Sequence, residues 1–310
     1  MIEKRDVPCN LCGANDHDFL FDAEDRLHGC EGTFTYVQCK RCGLVYMNPQ
    51  ISPGDAGDFY PANYGPHRTV PEKQQSGKHV FKSKSHKRSF VTSICGKLKQ
   101  DARLLDIGCG NGSFLNEIRT LTGCQAYGVD SSKLAAKAAG ENYGLDVFTG
   151  TILESPFPNH HFDVITAWAY LEHVNNPLEV LQKISNLLKR SGSCIISIPN
   201  FKSFNARVFK ERWYHLDCPR HLYIYSPDTI KKLSDKAGLS VAAIAFDKSA
   251  GGLLRSLRYR FGDDTIPFKQ RKRLRGSSLL KKLLLPLTTL LALIKQADMM
   301  VICVRRSKNA

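Results

Sequence analysis

Residues 104–112 read Leu-Leu-Asp-Ile-Gly-Cys-Gly-Asn-Gly, a short apolar strand that breaks into three glycines spaced two apart. An amphipathic run containing Phe114, Leu115 and Ile118 follows, which predicts a helix. Glycines allow a sharp strand-to-helix turn and a close approach of backbone to ligand. The first N–H groups of the helix then point at that ligand. Dinucleotide sites use G-x-G-x-x-G, which seats a pyrophosphate on the helix N-terminus. Here the spacing is G-x-G-x-G. The next strand-like run, Gln125–Val129, ends in Asp130, a carboxylate able to accept hydrogen bonds from both hydroxyls of a ribose.

The chain downstream alternates between the two periodicities. Ser131–Tyr143 reads as a helix, Leu145–Phe148 as a strand and Phe162–Trp168 as a buried central strand. Leu178–Arg190 reads as a helix opened by Asn176-Pro177 and stopped by Gly192. Strand 193–199, a helix between Ser226 and Gly238, and strands 239–246 and 299–304 complete the series. This order predicts an α/β fold with a doubly wound parallel sheet covered on both faces. The glycine motif, with Asp106 ahead of it and Asp130 beyond, resembles the first motif of class I S-adenosylmethionine (SAM) methyltransferases. The resemblance covers about Asp101 to Arg306. It implies a seven-stranded Rossmann-like sheet with an antiparallel last strand, and SAM as cofactor. It also implies cofactor contacts from Asp106, Gly108, Cys109, Gly110, Gly112, Asp130, Ser131, Ile152, Leu153 and Trp168.

Residues 1–50 read as a separate zinc-ribbon-like module. Cys9-x-x-Cys12-Gly13 and Cys39-x-x-Cys42-Gly43 are matched knuckles separated by 26 residues. They supply the four thiolates of a closed, structural Zn2+ site, and a redox dithiol would need only one pair. Segment 51–100 is expected to be a basic linker or helical lid. Residues 101–310 are expected to form the methyltransferase-like domain, with insertions at 201–225 and 247–297. The other seven of eleven cysteines are scattered, and the first residues carry no apolar signal run. The expected compartment is a reducing cytoplasm.

The formal net charge of +15 is concentrated in appendages. Arg68–Lys99 holds nine Lys or Arg against one Glu, and Leu253–Ala310 holds fourteen against three Asp. Leu279–Ile294 is too short and interrupted to span a bilayer, which takes about 20 apolar residues. Wound as one helix, it gathers most of its leucines on one side and Lys281, Lys282, Thr288, Thr289 and Lys295 on the other. Arg271, Lys272, Arg273 and Arg275 precede it. Two readings are open: peripheral contact with an anionic inner membrane face, or packing of the leucines on the protein or on a second copy. Nucleic acid is a further candidate partner, although the basic runs lack the interleaved aromatics used by single-strand binders.

Methyl transfer to a hydroxyl needs a base. Leu171-Glu172-His173-Val174 follows the fourth sheet strand, and Trp213–His221 lies in an insertion that can roof an acceptor pocket. The candidate bases are His173, His215 and His221, imidazoles ordinarily half-neutral near pH 6.5. The Leu-Glu-His-Val stretch resembles ubiquinone-pathway O-methyltransferases, whose E-x-x-E-H can bind a divalent metal. Ala169 stands at the first acidic position here, which argues against a catalytic magnesium. The knuckles and the 213–223 stretch are similar to bacterial sugar and cell-surface polysaccharide methyltransferases. The resemblance implies a SAM-dependent methyltransferase of a small-molecule acceptor, a sugar or lipid-linked intermediate. An RNA methyltransferase, expected to show salt-sensitive RNA binding, and a non-catalytic zinc-module scaffold, expected not to bind SAM, are the alternatives.

Overall fold

The computed structural model describes residues 3–60, 98–262 and 278–307. The Arg271–Arg275 cluster and most of the 51–100 basic segment lie outside the described residues. The first strands are β1 (Lys4–Arg5), β2 (His17–Ala23), β3 (Phe34–Cys39), β4 (Val45–Met47) and β5 (Gln50–Ile51). Then come β6 (Arg103–Ile107), α1 (Ser113–Thr122), β7 (Gln125–Asp130), α2 (Lys133–Tyr143), β8 (Asp146–Thr149) and β9 (Phe162–Trp168). They are followed by α3 (Pro177–Leu187), β10 (Leu188–Pro199), α4 (Phe204–Phe209), β11 (Tyr223–Ile224), α5 (Pro227–Lys236) and β12 (Leu239–Phe246). The last elements are α6 (Gly251–Phe261), α7 (Ser278–Leu283), α8 (Leu285–Leu293) and β13 (Met299–Arg306).

Seven strands form one sheet in the order β12-β13-β10-β9-β6-β7-β8. Strands β6 to β10 pair in parallel, and β13 inserts antiparallel between β10 and β12, as expected. Leu105, Ile107, Ile165 and Ile196 in the central strands are fully buried, as parallel sheets require. The helix starts follow local chemistry. Ser132 caps α2, Asn176 caps α3 ahead of Pro177, and Ser226 with Thr229 closes a capping box on α5.

Two expectations change. Helix α3 ends at Leu187 rather than Arg190, and β10 runs straight through Gly192. Leu187 and Leu188 are both fully buried, and Leu188 already pairs with Phe162, so sheet pairing overrides the helical pattern. The N-terminal segment is also not a free-standing sheet. Its β2, β3 and β4 are completed by β11, which pairs antiparallel with β4 through Tyr223↔Tyr46 and Ile224↔Val45. The 201–225 insertion therefore reaches the cysteine module and shares its core.

Candidate active site

The glycine loop joins β6 to α1. Gly108, Gly110 and Gly112 have φ of 70°, 55° and 75°, in the left-handed region where L side chains are strained. A Cβ on Gly112 would sit 2.6 Å from Leu145 Cδ1, so packing also demands glycine there. The loop is tied to the next strand: Gly108 N–H donates to Val129 O (2.8 Å) and Gly110 N–H to Asp130 Oδ2 (2.7 Å). Asp130 Oδ1 accepts from Ser132 N–H (2.9 Å). Both oxygens thus already take a backbone hydrogen bond, and what they offer a ribose is their remaining lone pairs. Asp106 lies beneath the loop, fully enclosed, with Thr166 Oγ1 donating to its Oδ1 at 2.6 Å. Burial pushes its carboxyl up to about 7, the Thr166 bond opposes this, and the charge of Asp130 adds to it.

The other predicted cofactor residues scatter around this cradle. Ile152 is buried, Leu153 and Ser131 are exposed, and Trp168 meets Phe114 edge-on at 5.3 Å. The Cys109 thiol faces the core, where it fills the space against Gly128. Sequence reasoning missed Tyr170, whose ring covers Gly108 so closely that a Cβ there would lie 2.9 Å from its Cδ2. The preceding Ala169 has φ 48°, a strained value for a non-glycine residue at the end of the fourth sheet strand.

The structure brings together two of the three candidate bases. The rings of His173 and His221 meet edge-to-face, with centroids 4.6 Å apart. His173 Nδ1 lies 3.1 Å from Arg220 O and 3.0 Å from Tyr60 Oη, and His221 Nδ1 lies 3.0 Å from His215 O. A carbonyl oxygen can only accept, so each Nδ1 is assigned the proton and each Nε2 the lone pair. His221 Nε2 faces Glu172 Oε1 at 3.9 Å and Asp217 Oδ2 at 3.8 Å. The His215 ring lies elsewhere, against Trp213, Tyr214 and Gly252. Burial pushes His173 down to about 3 and His221 down to about 4, which replaces the expectation of titration near pH 6.5.

Arg220 organises this wall. Its guanidinium binds Asp25 bidentately, with Nη1 and Nη2 each 2.8 Å from a carboxylate oxygen, and reaches Asp217 Oδ1 at 2.7 Å. Arg220 and Asp25 side chains are wholly buried. Asp25 and Tyr60 were not legible in the sequence, because each acts across a long chain separation on a residue whose own partner is set by the fold.

The cysteine cluster is assembled from two equivalent turns. Gly13 N–H donates to Cys9 O and Gly43 N–H to Cys39 O, with φ of 74° and 79° at the glycines. The four Sγ atoms lie within 4.8 Å of one another, and Cys9–Cys42 and Cys12–Cys39 are each 3.4 Å apart. A tetrahedral site with Zn–S of about 2.3 Å has sulfur–sulfur edges of about 3.8 Å, so the four thiols fit.

The methyltransferase domain family matches residues 78–244, more than half of the chain. A ubiquinone biosynthesis O-methyltransferase from Cereibacter sphaeroides is 34% identical over 148 residues, 44% of this chain and 60% of that protein. Another from Nitrosospira multiformis is 29% identical over 169 residues, 48% of this chain and 69% of that protein. The chain thus spans only 60% of the length of the first of these relatives. A geranyl diphosphate C-methyltransferase from Streptomyces coelicolor, solved with Mg2+, geranyl diphosphate and S-adenosyl-L-homocysteine, shares the fold at a TM-score of 0.50 and 14% identity, over 71% of this chain and 78% of that one. With sheet order, glycine cradle and family match in agreement, the chain belongs to the methyltransferase domain family.

Proposed function

We propose that this protein is a SAM-dependent methyltransferase acting on a small-molecule acceptor, a sugar or lipid-linked intermediate. The reading rests on one observation: three left-handed glycines whose middle N–H is held by Asp130. Two buried carboxyls, Asp106 and Asp130, fit a cationic cofactor. When bound, that cofactor supplies an electrophilic methyl group on a sulfonium. Its binding favours ionised Asp106, so affinity rises with pH through about 7. Asp130→Ala is expected to weaken SAM binding by about 1.5–3 kcal/mol, the worth of hydrogen bonds to a charged group. Gly110→Val is expected to abolish it. Calorimetry decides: wild-type affinity in both variants overturns the assignment.

The same reading keeps Ser131, Ile152, Leu153 and Trp168 as cofactor contacts and assigns Cys9, Cys12, Cys39 and Cys42 to one structural Zn2+. It divides the chain at about 50 and 100 into module, basic segment and catalytic domain. It places the protein in the cytoplasm, peripheral to the inner membrane face. No helix among the described residues is long and apolar enough to cross a membrane.

For a hydroxyl acceptor, His173 Nε2 would take the hydroxyl proton, and bound SAM would supply the electrophilic methyl group to the oxygen. His221 and His215 are the reserve bases. His173→Ala is expected to slow single-turnover methylation by about 10²–10⁴-fold at saturating SAM, with SAM affinity unchanged. Because burial holds His173 down near 3, the rate should not show an acid limb at pH 6.5. Stability behaves differently. Unfolded histidines protonate below about 6.5, while folded His173 and His221 resist until about 3 and about 4. Their contribution to stability is therefore complete above pH 6.5 and lost as the pH falls toward 4. A pH–rate profile breaking at 6.5 in the still-folded enzyme, or wild-type rates in all three His→Ala variants, rejects these bases.

A further inference from the structure

The pattern of 279–294 predicts one helix with most leucines on one side and Lys281, Lys282, Thr288, Thr289 and Lys295 on the other, and leaves open which side meets the protein. The structure breaks it into α7 and α8 and puts Thr288 on the protein side of α8. Thr288 is 5% exposed and faces the protein, bonding back to Leu284 O and Leu285 O, with Leu291 and Ala292 beside it. Most of the leucines face outward: Leu283 is 67% exposed, Leu290 54% and Leu293 71%. The contacts of α8 with the protein therefore leave most of this apolar surface uncovered. A contiguous exposed patch of this kind marks a docking surface.

Charge selects its occupant. Among the described residues, Lys281 and Lys282 stand exposed among the leucines of α7, and exposed Lys295 follows α8. Two copies meeting on this face would bring like charges together at a cost. An anionic lipid surface matches both the leucines and the lysines. Position agrees. The end of α8 is clamped to the carboxyl end of β10, with Asn200 Nδ2 donating to Ala297 O (3.0 Å) and Phe204 N–H to Gln296 O (3.0 Å). The carboxyl ends of the parallel strands are where this class of sheet binds its ligands. Exposed Phe204 and Val208 of α4 lie next to the clamp.

We infer that α7 and α8 dock on an anionic membrane surface, which presents a lipid-linked acceptor to the cofactor end of the sheet. The docking stands on the surface itself, and only its purpose rests on the proposed acceptor class. The test is flotation of the full chain with phosphatidylcholine vesicles, plain or carrying about one-third phosphatidylglycerol. Wild-type protein is expected to float with the anionic vesicles and to be released by salt. Leu283→Ser with Leu290→Ser and Leu293→Ser should weaken partitioning about 100-fold while leaving the melting temperature unchanged, because these side chains are exposed. Lys281→Glu with Lys282→Glu should weaken it at least about 10-fold at low salt. The inference is overturned by absence of flotation, by a lowered melting temperature in the leucine variant, or by a dimer that this variant dissociates. SAM calorimetry on the same samples separates the two ideas: SAM binding without flotation overturns docking alone, and flotation without SAM binding overturns the cofactor reading alone.

Discussion

Cys39→Ser is expected to release zinc and to unfold more than the cysteine module. A structural zinc contributes about 10–16 kcal/mol in isolated modules, comparable to the whole stability of a domain, about 5–15 kcal/mol. From the sequence alone the damage should stop near residue 50. The structure extends it. Strand β4 pairs with β11, Tyr36 Oη donates to His221 O at 2.8 Å, and Asp25 holds Arg220. Loss of the metal should therefore loosen 213–225 and the histidine wall, while β6 and β9 keep their pairing and SAM still binds. Metal analysis should find one zinc per wild-type chain. Hydrogen exchange should show lost protection at 34–47 and 214–225, retained at 103–107. A zinc-free wild type, or full protection in the variant, contradicts the assignment.

Arg220→Met is expected to destabilise the fold by about 3–5 kcal/mol, the usual result of breaking a buried ion pair by removing one partner. Burial alone would raise the carboxyl of Asp25, but the bonds and charge of Arg220 outweigh it and hold the group below its ordinary range. Burial acts on Asp217 in the same way, and it too is held low, by the neighbouring His221 and Arg220. The methionine leaves two enclosed carboxylates to be protonated or exposed. Urea unfolding at pH 7 measures the loss, and a change below about 1 kcal/mol, the value of a surface pair, rejects the structural role. The variant should regain part of its stability as the pH is lowered, because protonating Asp25 and Asp217 removes the uncompensated charge. The wild type should do the reverse, since its depressed carboxyls contribute stability that is lost as the pH falls through their folded values.

What was legible in the sequence was local. The glycine loop, the knuckles, the capped helices and the run of sheet strands each depend on residues close together, and each is in place. What was not legible depends on distant pairing. Strand β11 is two residues long and carries no period of its own, so nothing in Tyr223-Ile224 announces a partner at Val45. The Asp25–Arg220 contact spans 195 residues. Periodicity grouped the leucines of 279–294 but could not say which side of the helix would face the protein. That was decided by the clamp at Asn200 and Phe204. The depression of the histidine pKa values was equally hidden, because it comes from enclosure by Tyr60, Arg220 and His215.

The closing of the first sheet by β11 also sets an order of events during synthesis. Strands β2 to β4 leave the ribosome about 176 residues ahead of the segment that caps β4. At about 5–20 residues per second the interval is roughly 10–35 s. Throughout it, β4 presents an open edge of the kind that invites pairing with other chains. The two cysteine turns are the part of this sheet able to mature alone, so early capture of the metal would hold the nascent hairpins in register until Tyr223 and Ile224 arrive.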